Sequence, residues 1–243
     1  MKVVLFCGGL GMRLRGSPEN VPKPMVPIGG RPILWHLMKY YAHAGITDFV
    51  LCLGYGGEVI RNFLRKHEEG WSVAFVDSGI EASIGQRLLA AEPLLAGEEV
   101  FCANYADGLT DLPFSDQLAH FLRHDRVAGL LSVRPNLSYH AVSAEPGGLV
   151  TGFHGIVDTH LRVNGGFFIF KRDIFRYIRA GEELVEEPFQ RLIQDRQLVA
   201  YEYDGFWLAV DTAKDKQRVD ELYARGAPPW MVWEPRPLVV GRP

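Results

Sequence analysis

The residues with the clearest chemical potential lie near the start of the chain. An apolar run, Val3–Cys7, leads directly into the loop Gly8-Gly9-Leu10-Gly11-Met12, and Arg13 and then Lys23 follow it. Glycines let backbone N–H groups approach an anion closely, while an arginine and a lysine neutralise its charge. The prolines on both sides of Lys23 stiffen the chain, which lowers the entropy cost of aiming its ammonium group. This arrangement predicts a binding site for a nucleoside triphosphate.

The glycine loop differs from two common nucleotide-binding loops. No Gly-Lys-Ser/Thr follows it, as a Walker loop requires, and the second apolar run ends at Gly54-Tyr55 instead of the acid of a dinucleotide-binding unit. The alternative interpretation is an ordinary strand-to-helix turn, with Lys23 as a solvated residue. The presence of Arg13 and Lys23 favours the triphosphate site.

Two aspartates follow strand-like runs. Asp107 comes after Val100–Ala103, and ligands of an open α/β sheet bind at the carboxyl ends of its strands. A carboxylate there is well placed to hold Mg²⁺ together with substrate phosphates, although an ordinary Asp-Gly turn is the alternative. Asp211 precedes the last helical pattern, where it can serve as the N-cap, and a helix start also favours anions.

A possible sugar pocket lies at Asn164-Gly165-Gly166. The glycines permit close approach and Asn164 can recognise hydroxyl groups, while the alternative is a turn before the next strand. The eight histidines show no metal-ligand spacing, and no Ser/His/Asp or Cys/His arrangement indicates a nucleophile.

The elements that position these residues alternate between strands and helices in the first half. Such apolar strands separated by helices indicate a parallel sheet covered on both faces. The predicted strands are Val3–Cys7, Phe49–Leu53, Ser72–Val76 and Val100–Ala103. The predicted helices begin at Pro32 (closing near Gly45), at Glu58 (to Lys66) and at Ile84 (to Leu95, interrupted by Pro93).

The second half predicts a smaller antiparallel portion. Its predicted strands are Gly129–Val133, Ala141–Ala144, Leu149–Phe153, Gly166–Phe170 and Val199–Tyr203, the second and third joined by a Pro-Gly-Gly turn. Its predicted helices are Phe189–Arg196 and Thr212–Arg225. Without repeats or long linkers, we expect one domain over residues 1–243, with a nucleotide-binding half (1–127) and a sugar-phosphate-binding half (128–243).

Composition excludes several classes of protein. A net charge of −3 and 23% charged residues argue against a nucleic-acid or anionic-membrane binder, and no apolar stretch is long enough to span a membrane. The first apolar run is too short for a signal peptide. Three cysteines inside apolar runs cannot all pair, which favours a reducing compartment. We therefore expect a cytoplasmic protein.

At this point the sequence resembles the sugar-1-phosphate nucleotidyltransferases, and among them the glucose-1-phosphate cytidylyltransferases, over nearly its whole length. The segments that carry the resemblance are Gly8–Leu14, Pro22–Met25, Gly30–His36, Phe49–Tyr55, Tyr105–Gly108, Asn164–Phe168, Gly205–Trp207, Asp211-Thr212 and Ala227–Trp230. The resemblance implies a Rossmann-like, three-layer α/β fold with a mixed, mainly parallel sheet. It also implies transfer of a nucleotidyl group, from CTP in the subgroup it resembles, to a hexose 1-phosphate in a homo-oligomer.

The resemblance further implies roles for individual residues. Arg13 and Lys23 would hold the triphosphate, and Asp107 and Asp211 would bind Mg²⁺, Asp107 also lying in the nucleotide site. The nucleotide-binding set is Gly8, Gly9, Leu10, Gly11, Met12, Gly85, Gln86, Arg87 and Asp107. The sugar-binding set is Asn164, Gly165, Arg162 and Trp207.

One departure from the family pattern concerns the sugar phosphate. The family normally carries Glu-Lys-Pro shortly before Asn-Gly-Gly, but Val150–Leu161 contains no lysine, and His154, His160 or Arg162 would have to replace it. This leaves a non-catalytic nucleotide- or sugar-phosphate-sensing homologue as an alternative, as well as an enzyme for another base or sugar. A dinucleotide-dependent oxidoreductase is a third alternative, disfavoured by the missing acid.

Overall fold

In the computed structural model, residues 1–9, 21–67, 69–135 and 139–234 are described. The strands are β1 Val3–Phe6, β2 Pro27–Ile28, β3 Arg31–Pro32, β4 Asp48–Leu53, β5 Ser72–Asp77, β6 Val100–Tyr105, β7 Gly108–Thr110, β8 Ala128–Val133, β9 His140–Ala144, β10 Val150–Gly155, β11 Val163–Asn164, β12 Phe168–Lys171, β13 Leu198–Tyr203 and β14 Trp207–Ala209. The helices are α1 Ile33–His43, α2 Gly57–Lys66, α3 Ile84–Ala91, α4 Phe114–His124, α5 Glu187–Gln194 and α6 Ala213–Ala224.

A mixed sheet forms the centre of the molecule and draws strands from both halves of the chain. In the described residues its order is β11-β8-β12-β6-β1-β4-β5, and β13 also pairs with β8. Strands β6, β1, β4 and β5 run parallel, as β8 and β13 do, whereas β12 and β11 are antiparallel to their neighbours. The predicted mixed, mainly parallel sheet with an antiparallel portion in the second half is confirmed.

Alternate side chains of β1 enter two separate cores, which creates the three layers. Val3 and Leu5 pack in the cluster that contains the apolar faces of α1, α2 and α4. Val4 and Phe6 pack in the cluster that contains those of α3 and α5. Because successive side chains of a strand point to opposite faces, an uninterrupted apolar run is the pattern that a strand buried on both sides requires.

The predicted hairpin in the second half is confirmed. Strands β9 and β10 pair antiparallel as a separate two-stranded sheet, and the turn places Gly147 and Gly148 at φ of 106° and 90°. Glycine is favoured at such positive φ values because it has no Cβ. The Gly148 N–H donates to the Glu145 carbonyl at 2.9 Å, which closes the turn.

Some predicted boundaries are wrong. Strand β12 begins at Phe168, not at Gly166, because Gly166 and Phe167 have φ values of 73° and 45°, which no strand adopts. Helix α3 ends at Ala91, ahead of Pro93, and Glu92–Leu95 continues as a 3₁₀ turn. None of the helices within the described ranges has the length and apolar character needed to cross a membrane.

Candidate active site

Three glycine turns meet at the carboxyl ends of neighbouring parallel strands. Gly8 follows β1, Gly54 follows β4 and Gly79 follows β5. A Cβ on Gly54 would lie only 2.6 Å from the Gly8 carbonyl oxygen and 2.8 Å from that of Gly79, so the backbones touch directly. A Cβ on Gly8 would overlap the guanidinium of Arg87. Gly8, the first residue of the predicted loop, therefore lies at the edge of the sheet where ligands of such folds bind.

Arg87 locks this group of turns together. Its side chain is 2% exposed and donates hydrogen bonds to Ser78 Oγ at 2.7 Å and to the carbonyls of Gly79 at 3.0 Å, Ile80 at 3.1 Å and Leu53 at 3.4 Å. Burial lowers the pKa of Arg87. The resemblance implies a contact between Arg87 and the nucleotide, but its donors are directed at the protein, and this geometry favours a positioning role behind Gly8.

The central feature of the site is a lysine held between two carboxylates. The Lys23 ammonium donates to Asp107 Oδ2 and, at 2.7 Å, to Asp211 Oδ1. These residues are 84 and 188 positions from Lys23 in the sequence, so only the fold brings them together. Burial disfavours the charged form of Lys23, but the two aspartates outweigh burial and raise its pKa.

Local structure explains how each of the three residues is positioned. Lys23 begins a short 3₁₀ turn, Lys23–Met25, and the preceding Pro22 packs on Gly56, where a Cβ would lie 2.7 Å from the proline ring. Asp107 occupies the turn between β6 and β7. Strand β14 pairs antiparallel with β7, and the Val210 N–H donates to the Asp107 carbonyl at 3.0 Å. That pairing places Asp211 beside Asp107.

The structure separates the two interpretations of Asp211. Thr212, not Asp211, is the N-cap of α6. Its Oγ1 accepts from the Asp215 N–H at 3.2 Å, and the Thr212 N–H donates to the Asp215 carboxylate at 2.8 Å. This reciprocal arrangement is a capping box. Thr212 thus holds the N-cap position, and the Asp211 carboxylate accepts a hydrogen bond from Lys23.

The donor set fits a magnesium ion. Two carboxylate oxygens, one each from Asp107 and Asp211, converge on a single point at the ligand-binding edge of the sheet. Mg²⁺ prefers one or two protein carboxylates and takes its other ligands from phosphate oxygens and water. Within the described ranges, no group of three or more His, Cys, Asp or Glu side chains could hold a metal. A cation at this point would consequently depend on the substrate for part of its coordination.

Three of the four predicted sugar-binding residues, Asn164, Gly165 and Trp207, lie close together. Trp207 Nε1–H donates to the Gly165 carbonyl at 2.9 Å, and the Asn164 side-chain oxygen accepts from the Gly166 N–H at 2.9 Å. Trp207 and Asp211 line one wide cavity of about 1040 Å³. The structure thus brings Trp207 and the Asn164 turn together next to the carboxylate site.

Arg162, the fourth predicted sugar-binding residue, is bound to other parts of the protein. Its guanidinium is bound to Asp204 at 2.9 Å and to the Ser132 carbonyl at 3.1 Å, with Glu202 at 3.3 Å. An arginine held by two acids has little capacity left for a sugar phosphate. Its predicted role remains a prediction that this geometry disfavours.

The remaining nucleotide-binding predictions divide into two groups. Ser83 is the N-cap of α3, and the Gln86 side chain accepts from the Ser83 N–H to complete a capping box. Gly85 packs against Glu182, and a Cβ on Gly85 would lie 2.5 Å from the Glu182 carbonyl oxygen. Both residues therefore have structural roles in the fold, and their contact with the base of a nucleotide stays a prediction. The other predictions, Leu10, Gly11, Met12 and Arg13, lie outside the described residues.

Sequence reasoning missed two basic residues near the site. Lys214 and Arg218 of α6 line the same cavity as Trp207 and Asp211. The two residues are four positions apart and closely follow Asp211, which places them on one face of a helix. This spacing could have indicated two basic side chains beside the carboxylate site.

Comparisons with known proteins identify the family and the fold of the chain. The nucleotidyl transferase family profile matches residues 2–224. Glucose-1-phosphate cytidylyltransferase of Salmonella typhi is 33% identical over 257 residues, covering 96% of this chain and 100% of that protein. Mannose-1-phosphate guanyltransferase of Gibberella zeae is 30% identical over 231 residues, covering 88% of this chain and 62% of that protein. HddC from Yersinia pseudotuberculosis, a crystal structure, shares the fold with a TM-score of 0.70 at 20% identity, covering 91% of this chain and 99% of that one.

Proposed function

Because the chain belongs to the nucleotidyl transferase family and is a sugar-1-phosphate nucleotidyltransferase, we propose that it joins CTP and glucose 1-phosphate. The products are CDP-glucose and pyrophosphate. Support for the base and the sugar comes from a relative that shares 33% identity over its full length and is named for these substrates. The guanyltransferase relative supports the reaction class without supporting the base.

The proposed reaction is a direct displacement. A phosphate oxygen of the sugar 1-phosphate attacks the α-phosphorus of CTP, the bond from that phosphorus to the bridging oxygen breaks, and pyrophosphate leaves with the electron pair. No covalent enzyme intermediate forms. Positioning and charge neutralisation supply the catalysis, as in other phosphoryl transfers.

The observation that carries the proposal is the convergence of Lys23, Asp107 and Asp211 beside the glycine turns. Lys23 would neutralise the departing pyrophosphate, and Arg13 would share this role. Asp107 and Asp211 would hold Mg²⁺. When bound, the ion would draw charge from the phosphate oxygens and orient them. Gly8, Gly9 and Gly11 would approach the triphosphate through their backbone N–H groups.

The test is a pyrophosphate-release assay over a matrix of nucleoside triphosphates and sugar 1-phosphates with Mg²⁺. We expect the highest kcat/KM for CTP with glucose 1-phosphate. Lys23→Ala and Asp107→Ala should each lower kcat/KM by about 100-fold or more, a typical cost of removing a group that stabilises developing charge. Lys39→Ala is the matched control, because Lys39 pairs with Glu69 on a different surface. Turnover near the wild-type rate in either site variant would refute the assignment.

A non-catalytic sensing homologue is the second candidate function, and one observation favours it. Residues 150–161 contain no lysine, and Arg162, the nearest arginine, is held by Asp204 and Glu202. The same assay separates the two functions. Binding of CTP or glucose 1-phosphate without pyrophosphate release from any substrate pair would establish the sensor.

We also propose that the protein is a cytoplasmic homo-oligomer. The exposed apolar side chains on and beside the hairpin β9–β10 support the homo-oligomer. A cytoplasmic setting is supported by Cys7, Cys52 and Cys102, each buried and unpaired.

A further inference from the structure

The position of Lys23 has a consequence for metal binding. Its ammonium lies between one oxygen of Asp107 and one oxygen of Asp211, hydrogen-bonded to both, and its side chain is only 15% exposed. Mg²⁺ binds carboxylate oxygens at about 2.0–2.1 Å. An ion held by these two oxygens would therefore occupy the space that the Lys23 nitrogen occupies.

Electrostatic repulsion also opposes binding of a metal ion beside the Lys23 ammonium. The two carboxylates carry two negative charges, and the Lys23 ammonium cancels one of them. A divalent cation placed beside that ammonium would be repelled by it in a partly buried site, where charges interact more strongly than in water. Lys23 and the metal consequently compete for these two oxygens, Asp107 Oδ2 and Asp211 Oδ1.

The backbone around Lys23 limits how the competition can be relieved. Pro22 and Pro24 restrict the segment, and Pro22 is packed against Gly56. The backbone is therefore fixed, and the flexible four-carbon side chain must move instead. A triphosphate bound at the glycine turns would offer phosphate oxygens as new acceptors for the displaced ammonium.

We propose that Lys23 and the divalent cation compete for the Asp107 and Asp211 carboxylates, so that metal alone binds weakly and metal with triphosphate binds cooperatively. This inference rests on the proposed function, since it requires the same site to accept a nucleoside triphosphate. Lys23 then has two alternating partners, the two aspartates and the phosphates. The lysine both neutralises substrate charge and restricts metal loading to the substrate-bound protein.

The test is a titration of the metal-free full-length protein with Mn²⁺ alone, followed by calorimetry, with no nucleotide present. Lys23→Met removes the charge and keeps most of the side-chain volume, and should raise the Mn²⁺ affinity about tenfold, within the usual range for coupled sites. Lys23→Arg keeps the competing charge and should bind Mn²⁺ as weakly as the wild type. Lys39→Met, which removes a lysine paired with one acid elsewhere, should leave the affinity unchanged.

A second measurement locates the ion and monitors folding. Mg²⁺ should raise the melting temperature of Lys23→Met more than that of the wild type, because a ligand stabilises the state that binds it. Adding Asp107→Asn to Lys23→Met should remove the gain. Lys23→Gln replaces Lys23→Met if the latter does not fold.

Mn²⁺ binding by folded Lys23→Met or Lys23→Gln that is equal to or weaker than that of the wild type would overturn the proposal, as would a gain that survives Asp107→Asn. Either result leaves the proposed function standing if the wild type releases pyrophosphate. Conversely, a wild type that is inactive with every substrate pair would refute the function, whatever the metal titration shows.

Discussion

At the scale of single residues, two neighbouring glycines of the site have different reasons to be glycine. A Cβ on Gly8 would overlap the Arg87 guanidinium and approach the Gly54 nitrogen at 2.9 Å. Within the part of the chain that the structure describes, no atom would lie within 4 Å of a Cβ on Gly9. Gly8 is thus required by packing within the protein, whereas the absence of a side chain at Gly9 leaves space for a ligand.

This difference predicts that alanine at Gly8 lowers the stability of the protein, whereas alanine at Gly9 weakens triphosphate binding. Gly8→Ala should lower the free energy of unfolding by about 1–3 kcal/mol, because the added methyl displaces a buried arginine from its hydrogen bonds. Gly9→Ala should change it by less than about 0.5 kcal/mol. It should nevertheless raise KM for the triphosphate about tenfold by blocking its approach. Urea denaturation and steady-state kinetics measure the two effects.

Each half of that prediction has its own contrary result. A Gly8→Ala protein as stable as the wild type would mean that Arg87 does not lock the turn. An unchanged KM in Gly9→Ala would mean that the phosphates do not approach the loop at Gly9.

The types of the key residues were predictable from sequence, but their partners were not. Lys23, Asp107 and Asp211 could be selected from their local motifs. Their convergence depends on a strand pairing between residues about a hundred positions apart, which no local pattern encodes. The burial of Arg87 likewise depends on acceptors from the ends of β4 and β5. A charged residue is normally exposed, so its sequence alone suggested a ligand contact.

At the scale of elements, the short ribbon of β7 and β14 assembles the acidic pair. Each strand has three residues, and together they place the turn after β6 beside the start of α6. Sequence patterns identified neither strand, because three-residue runs carry too little periodicity. Helix α4 was missed as well, since Pro113 and Phe114 at its start give no side-chain cap signal. The long apolar strands β1, β4 and β6 were predicted because burial on both faces makes them continuous apolar runs.

Asp211 and Thr212 are neighbours at the junction between β14 and α6, but we expect substitution of Thr212 to affect stability and substitution of Asp211 to affect activity. Thr212→Ala removes the N-cap acceptor of α6 and should cost about 1 kcal/mol of unfolding free energy. Its kcat should stay within about threefold of the wild type, because a cap acts through stability. Asp211→Asn should keep the stability and lower kcat/KM about 100-fold through the loss of a carboxylate. Thermal unfolding and pyrophosphate release distinguish them.

Thr212→Ser is the control, since serine retains the capping oxygen and should restore the stability. If Asp211→Asn instead destabilised the protein and kept its activity, Asp211 would be a structural residue and the carboxylate site would be wrongly assigned.

At the scale of the whole molecule, exposed apolar surface is concentrated on one feature. Among the described residues, seven of the twelve strongly exposed large apolar side chains lie within 139–161, on and beside the hairpin β9–β10. Leu149 is 68% exposed and Phe153 is 64% exposed. Monomeric proteins rarely expose continuous apolar patches of more than a few hundred Å².

The size of this patch suits a second copy of the chain. With roughly 100 Å² exposed on each of the seven side chains, the hairpin and the residues beside it expose on the order of 700 Å², close to the ~800 Å² per partner of a standard interface. A self-complementary contact between two identical hairpins is the simplest way to cover it in a symmetric oligomer.

We therefore predict that the hairpin carries the proposed self-association. Val142 and Phe153 face each other across β9 and β10, so Val142→Lys with Phe153→Glu replaces the apolar pair by a charged one that preserves the hairpin. The wild type should sediment as a multiple of 27.3 kDa and the double variant should shift towards 27.3 kDa. Leu122→Lys with Ile193→Glu, which removes apolar surface of similar exposure elsewhere, should leave the mass unchanged. A wild type of 27.3 kDa, or a double variant that stays associated, would refute this role, because the apolar hairpin would then not be the surface that joins the copies.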